Sequence, residues 1–496
     1  MRLLKLRVVA FAAISLCSVN LFGQSFDGYA LYNLQNNKTT YMIDKDGNIA
    51  HSWDCNVNCN YAVALTDEGN LLRGGVYGSN KLNGAAIGGM IQEYDKDANI
   101  VWEFVYSDDS HVSHHDFCLM PNGNVLLTAW EVKTAAELTG AGYSGNATGW
   151  PTHIVEVEQD GSGGKIVWEW HIWDHLIQDF DKDKDNFGVI ADHPELMDIN
   201  AVSVSRRGGD WFHVNGLDYN ADLDQIVFSS RYASEIFIID HSTTTAEAAS
   251  HSGGNSGKGG DFLYRWGNPA NYGSSDNQQI PGPVHDPRWI KDGRPNAGYI
   301  QFFNNQGAGS QSSSVDAINP MRNGYNYSWD GTKNEPSEKD WRHVCADYAD
   351  GQSASDRMTN GNVFVALSRE YMYEADSTGN VIWQYNASPA KAFRYECAHP
   401  AVWALLGSEG CGTASLTNVQ MKTFTVYPNP SSGIYNISGL EDETGYSMYL
   451  TDNLGRRIQM DISDAVLDLS GFAKGQYFIV VNLNDGQTFA KKVILN

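Results

Sequence analysis

The sequence predicts an all-β protein: a β-propeller followed by a small C-terminal β-sandwich. Three observations lead there. A turn phrase ending in tryptophan recurs, as Asp95-Lys96-Asp97-Ala98-Asn99-Ile100-Val101-Trp102 and Asp376-Ser377-Thr378-Gly379-Asn380-Val381-Ile382-Trp383, with weaker copies ending at Trp53 and Trp168. A second phrase recurs as Glu68-Gly69-Asn70-Leu71-Leu72, Asn122-Gly123-Asn124-Val125-Leu126 and Asn360-Gly361-Asn362-Val363-Phe364. All 14 Trp lie between Trp53 and Trp403 and all 14 His between His51 and His399, while residues 421–496 have neither. Each phrase is a tight Asp/Gly/Asn turn leading into an aliphatic or β-branched strand. Short strands punctuated at regular spacing read as all-β structure, and recurrence of one strand–turn–strand unit reads as radial repetition. About 380 residues hold roughly six blades.

Taken in order, the chain opens with Arg2, Lys5 and Arg7, then an apolar run from Val8 to Leu16 and small or polar residues to Gly23. A basic start, a short apolar core and a small-residue exit predict a secretory signal peptide over residues 1–23, cleaved near Gly23. Its apolar run is short for a membrane span. Bulky Leu16 before Cys17 argues against a lipoprotein signal. No later stretch is apolar enough to cross a membrane.

Residues 24–406 are the expected propeller, with strands at Gln225–Ser230, Glu235–Asp240, Ala297–Asn304 and Asn362–Leu367. Helical periodicity is almost absent, and the stretch from Trp173 to Phe180 is the one expected surface helix. A glycine-rich stretch from Gly407 to Gly412 opens a linker over residues 407–420. Residues 421–496 are the expected sandwich.

The formal net charge is −25. Residues 1–23 carry three cations and no anion, so the mature chain is more acidic still. Nucleic acid is excluded as a partner, because its phosphates need a basic surface. An anionic substrate needs a local cluster of donors to overcome this field. Without Cys17, six cysteines remain, an even number that permits disulfides in an oxidising compartment. Cys55–Cys59 and Cys397–Cys411 are the expected local pairs. With no CxxC pair, a zinc ribbon has no support.

The tail carries Val426-Tyr427-Pro428-Asn429-Pro430, Gly433-Ile434-Tyr435-Asn436-Ile437, Tyr449-Leu450-Thr451-Asp452, Gly455-Arg456-Arg457, Leu467-Asp468-Leu469, Gly475-Gln476-Tyr477-Phe478-Ile479-Val480-Val481 and a final Lys491-Lys492-Val493-Ile494-Leu495-Asn496. Alternation alone predicts a small sandwich. The whole set resembles the type A C-terminal sorting domain of the type IX secretion system of Bacteroidota. That resemblance implies a partner, the secretion machinery, and a secreted or cell-surface location.

Four polar clusters stand out in the propeller. His111, His114, His115 and Asp116 precede the strand Phe117–Leu119, where adjacent histidines can place one imidazole at the channel; the plain reading is a solvated loop, and it is the one expected for His111. His213, within Trp211-Phe212-His213-Val214-Asn215, sits at a strand start, where a lone histidine is ordinarily a satisfied core residue. Arg231 ends the strand Gln225–Ser230; its spacing from His213 suits neighbouring antiparallel strands, and its plain reading is a structural salt bridge. Gly282-Pro283-Val284-His285-Asp286-Pro287 fixes the backbone around His285, which is otherwise a turn histidine.

Together, His114-His115-Asp116…Leu119-Met120-Pro121-Asn122-Gly123-Asn124, His213-Val214-Asn215, Ser229-Ser230-Arg231 and His285-Asp286 resemble the bacterial aryl-sulfate sulfotransferases, six-bladed propellers acting outside the cytoplasm. The resemblance covers roughly residues 27–405. It implies sulfuryl transfer from a small aromatic sulfate donor to a phenolic acceptor without a nucleotide donor, and no Gly-rich phosphate loop is present. By motif, His285 maps to the nucleophile that becomes sulfohistidine, which suits neutral imidazole. Arg231, His213 and His115 map to the groups that position the transferred group and supply charge or a proton. His114 and Asn215 map to the substrate's surroundings. A family hydroxyl falls near Ser353 or Ser355, with Ser353 preferred. The glycine-rich inserts around Gly140–Gly149 and Ser250–Gly260 are places where the mouth of the channel differs from the family.

No organic cofactor is implied. Asp179, Asp181, Asp183 and Asp185 alternate with other residues before Gly188, which raises structural calcium, although the glutamate that closes an EF-hand loop is missing. Two other functions fit parts of the sequence. One is a non-catalytic propeller that binds glycan or a protein partner. The other is a quinoprotein, because Ala375–Trp383 resembles the tryptophan-docking phrase of pyrroloquinoline-quinone propellers.

Overall fold

A computed structural model describes residues 25–496 except 79, 205, 277–278, 408–424, 430, 439–445, 453–456, 459–465 and 484–487. The chain divides into two compact units, Met1–Cys411 and Gly412–Asn496. The proposed signal peptide and most of the proposed linker lie outside the described residues.

In the first unit, six four-stranded antiparallel sheets succeed one another among the described residues. Their inner strands are β1 (Cys59–Leu65), β2 (His111–Leu119), β3 (Val214–Asn220), β4 (Val284–Trp289), β5 (Ala354–Arg357) and β6 (Pro389–Glu396). Each inner strand touches the next, and β6 touches β1, so they close a ring about one axis. This is a β-propeller. The last inner strand is closed by the first part of the chain: β6 pairs with Gly28–Leu34, Gly28 opposite Glu396. That sheet continues outward through Thr39–Ile43 and Ile49–Asp54.

Burial falls from axis to rim. Gln225–Ser230, second in its sheet, is buried throughout, whereas the outermost strand Ile100–Val105 buries only Trp102 fully. The recurring phrases build this rim. Asp44, Asp95 and Asp376 each accept the backbone N–H groups two and four residues on, at 2.8–3.0 Å. Gly47 and Gly379 take the left-handed conformation these turns need, and Ala98 adopts it in the third copy.

The terminal tryptophan of each phrase then reaches the neighbouring sheet. Trp53 Nε1 donates to the Asp95 carbonyl at 3.0 Å, Trp102 to Gly163 at 2.7 Å and Trp383 to Lys45 at 2.6 Å. Trp168 donates to Thr243 Oγ1 at 3.2 Å and Trp266 to the Pro336 carbonyl at 2.6 Å. In the remaining sheet, Trp341 lies 3.5 Å beneath the Arg357 guanidinium. The Ala375–Trp383 phrase therefore docks one sheet on the next.

Several expectations need correction. Trp173–Phe180 is not a helix: a 3-10 turn spans Ile172–His175, and Leu176–Ile177 then pairs in parallel with Met197–Asp198. Burial of Leu176 and Ile177 fixes that extended course. Among the described residues of this unit α-helices lie elsewhere, at Pro400–Leu406, capped by His399, and at Ala135–Gly140 and Thr245–Ala248. The latter two open with a Thr-x-x-Glu capping box, Thr134/Glu137 and Thr244/Glu247. The strand expected at Ala297–Asn304 runs from Ile300 to Gly309.

Cys55 and Cys59 are not bonded to each other; both are free and buried. The Cys59 thiol is held 3.1 Å from the Leu34 carbonyl and the Cys55 thiol 3.8 Å from that of Trp53, so each has a backbone partner of its own. The Cys397–Cys411 pairing falls on Cys411, outside the described residues.

In the second unit, Thr425–Tyr427, Ile434–Ser438 and Val466–Asp468 form one sheet. Tyr446–Asp452, Arg457–Ile458, Gly475–Leu483 and Thr488–Leu495 form another. Tyr435, Ile437 and Leu467 from the first share a core with Leu450, Ile479, Val481 and Val493 from the second. No helix among the described residues is long and apolar enough to cross a membrane.

Candidate active site

The inner strands break their own regularity at the ends where the sequence-predicted residues lie. β2 slips register between Ser113 and Phe117, β3 between Val214 and Gly216, and β4 between His285 and Arg288. At or beside these slips, non-glycine residues take left-handed backbone: His115 at φ +51°, His213 at +53°, Asp286 at +53°, and Gln352 and Ser353 at +51° and +82° on the way into β5. Each such residue costs about 1–3 kcal/mol and persists only where its surroundings over-determine it. A bulge also re-aims the side chains beside it. Left-handed residues occur in other turns as well, but here they coincide with register slips of the inner strands and with the sequence-predicted residues.

His115, His213, His285 and Arg231 come together there. The His115 and His213 rings meet edge to face with centroids 4.5 Å apart. The Arg231 N–H donates to the His213 carbonyl at 3.1 Å, as expected for neighbouring strands, and its guanidinium donates to the Asp350 carbonyl at 3.1 Å. His285 is 2 % exposed. Burial, then the charge of Arg231 and the proximity of His213, hold its imidazole well below the usual histidine range. Burial, with His213, His114 and His285, does the same for His115. Both rings are therefore neutral at neutral pH.

One hydrogen bond sets the tautomer of His285. Its Nδ1 lies 2.6 Å from Asn305 Oδ1, while Asn305 Nδ2 donates to the Ala349 carbonyl at 2.8 Å. The Ala349 contact orients the amide, so its oxygen faces the ring and Nδ1 carries the proton. Nε2 keeps its lone pair. His213 is oriented comparably: its Nδ1 contacts the buried carboxylate of Asp210. Asn305 and Asp210 were not singled out from the sequence. Asp210 stands three residues before His213, a local signal; Asn305 is brought in across sheet register and leaves none.

Three residues expected beside substrate stand behind these. His114 Nδ1 contacts His115 Nδ1 at 2.8 Å, and its ring stacks on Trp130 at 4.0 Å. Asn215 donates to the Val284 carbonyl at 2.7 Å and accepts from Ser229 at 2.6 Å, joining β3 to β4. Ser353 Oγ accepts the Ser368 N–H at 3.0 Å. All three are buried. The expectation of a solvated loop at His111 is corrected: the strand begins at His111 and holds His114 and His115 as well, and its bulge displays His115. His111 lies on the same strand, half-buried.

The Asp179–Asp185 stretch is a surface turn. Asp181 accepts the Asp183 N–H at 3.0 Å and faces Lys184 at 3.9 Å. Among the described residues, two groups of three potential ligands converge, Glu131–His153–His171 and His175–His251–Asp261, and neither includes these aspartates. In the first, the imidazoles of His153 and His171 stack 4.9 Å apart with 5° between their planes, so their in-plane lone pairs do not meet at one point. In the second, both nitrogens of His175 are engaged, by Asp261 and the Ala248 carbonyl.

Comparison with known proteins adds the following. The family model for arylsulfotransferase (ASST) matches residues 22–366. That for the secretion system C-terminal sorting domain matches residues 425–496. No curated protein matches the chain. Among solved structures, a protein of unknown function from Bacteroides caccae is 12% identical, with 74% of this chain and 98% of that chain covered and a TM-score of 0.41. The periplasmic gluconolactonase of Pseudomonas aeruginosa is 10% identical, with 95% and 96% covered and a TM-score of 0.36.

Proposed function

The chain belongs to the arylsulfotransferase family, and from that premise we propose that it moves a sulfuryl group from a phenolic sulfate ester to a phenol through a sulfohistidine at His285. The type IX sorting domain sends it to the cell surface or the medium through the secretion machinery. No supply of activated nucleotide sulfate is expected there, and exchange between esters needs none.

The observation that carries the reading is the fixed tautomer of His285: protonated Nδ1 on Asn305, and Nε2 with no protein partner among the described residues. In the first step Nε2 attacks sulfur, the N–S bond forms, and the S–O bond to the aryl group breaks with its electron pair on the phenolate. His213, held by Asp210, supplies the proton that the leaving oxygen takes. Arg231 and His115 face the equatorial oxygens, whose charge is retained throughout, so positioning and electrostatics do most of the work. In the second step an acceptor phenol gives its proton to His213 and its oxygen attacks sulfur. The N–S bond breaks and the pair returns to Nε2.

Purified mature protein is expected to release nitrophenol from p-nitrophenyl sulfate and to sulfate added phenol. His285→Ala is expected to lower this by about 10³-fold or more, the scale seen when a covalent nucleophile is removed. A His285→Ala variant that turns over at the wild-type rate contradicts the reading.

A further inference from the structure

Lys391 lies on β6, the strand that closes the ring, and its side chain is 1% exposed. It is beyond residue 366, where the matched family region ends. Its Nζ stands 2.9 Å from Asp116 Oδ2 and 2.9 Å from Asp286 Oδ1. Asp116 directly follows His115 on β2, and Asp286 directly follows His285 on β4. One ammonium thus grips the residue beside each of two site histidines, at the two bulges where His115 and Asp286 hold left-handed backbone.

The grip extends further round the ring. Asp116 Oδ2 also accepts the Leu217 N–H of β3 at 3.2 Å, and Asp286 Oδ2 accepts the Ser355 N–H of β5 at 3.4 Å. Five of the six inner strands are tied through these three side chains. Arg288 is a second cation, 3.1 Å from Asp286 and 3.8 Å from Asp116, resting on the Phe393 ring at 4.2 Å. Burial opposes ionisation of Asp286, but Arg288 and Lys391 hold its carboxyl below the usual range. Buried ion clusters of this kind add little net stability over apolar side chains of the same volume. What this one supplies is fixed geometry beside the histidines.

We infer that Lys391 is a positioning residue: by clamping Asp116 and Asp286 it aims His115 and His285 at one point. The inference rests on the sulfuryl-transfer reading for its catalytic consequence, though not for the clamp itself. The charge of Lys391 also bears on both rings. His285 faces Arg231, His213, Asn305 and Lys391; His115 faces His114, His213, His285, Lys391 and the Tyr61 ring. Loss of the ammonium makes both rings more basic, so they protonate at higher pH.

The test compares Lys391→Met and Lys391→Arg with wild type on p-nitrophenyl sulfate and phenol. Lys391→Met is expected to lower kcat by about 10²-fold, as loss of a group that orients a catalytic side chain does. Its KM is expected to stay within about threefold, with the acid limb of the kcat/KM profile moved upward. Lys391→Arg is expected to restore most of the rate. Should Lys391→Met not fold, Lys391→Met/Asp116→Asn, which removes one charge of each sign, is expected to fold and show the same loss.

A folded Lys391→Met protein with wild-type kcat and an unmoved profile overturns the inference and leaves the transferase reading intact. If wild type itself transfers no sulfate, that reading falls alone, and the clamp is judged by NMR titration of His115 and His285, assigned with His→Gln variants. Unchanged titration in Lys391→Met overturns it.

Discussion

At the rim of the sheets, tryptophans repeat one contact: an indole N–H reaches a backbone or hydroxyl oxygen on the neighbouring sheet, in five of the six sheets. At the axis three of the bulged inner strands present different residues: β2 a histidine pair, the head of β3 a histidine backed by Asp210, and β4 a histidine backed by Asn305. The rim is built from local turn chemistry that any sheet can reuse. The axis is built from strained backbone, buried charge and contacts between sheets. Stability is therefore expected to reside in the repeated part and chemistry in the part that does not repeat.

The largest test of this division is at the rim. Trp102→Ala removes a buried indole and its bond to Gly163, and is expected to cost about 3–5 kcal/mol, read as a lowered urea midpoint. The rate per folded molecule should be unchanged; a proportionate loss of rate would erase the division. At the axis the opposite is expected. Asn305→Ala frees His285 Nδ1 and should lower the rate of sulfuryl transfer by about 10²-fold. Its stability cost should be about 2 kcal/mol, that of the two buried hydrogen bonds to His285 and the Ala349 carbonyl.

The smallest effect is the pH dependence of stability, and it should split the same way. At the axis, burial keeps His114, His115 and His285 neutral in the fold. Each takes up a proton in the unfolded chain below about pH 6.5, so stability should fall as pH drops below that value. Farther out, burial opposes protonation of His241, but Asp224 and Glu156 raise it to about 9. Its contribution is complete below about pH 6.5 and is lost as pH rises through about 9. Urea midpoints between pH 5 and 10 should show both slopes, and His241→Gln should flatten the alkaline one. An unchanged alkaline slope in that variant would remove His241 from the account.

This division also explains what could be read in advance. The Asp…Gly-Asn…Trp phrases were legible because their hydrogen bonds close within four residues, and so they announced the strands and the radial repeat. His115, His213, Arg231 and His285 were legible through motif order. Their partners were not. Lys391 meets Asp286 across 105 residues and Asn305 meets His285 across sheet register, with no sequence spacing to betray either. The turn at Ile172–His175 leads into Leu176–Ile177 and not into the expected helix, because Leu176–Ile177 pairs with Met197–Asp198, a contact set by the tertiary fold and not by local sequence. Cys55 and Cys59 looked like a pair by spacing, but each thiol has a backbone carbonyl of its own.

The most direct measurement is mass spectrometry of protein quenched after mixing with p-nitrophenyl sulfate alone, followed by peptide mapping under conditions that preserve N–S bonds. The expected result is one sulfate on the peptide containing His285, discharged by added phenol and missing from His285→Ala. Nitrophenol release by the wild-type protein with no sulfate on that histidine at any quench time would contradict the account.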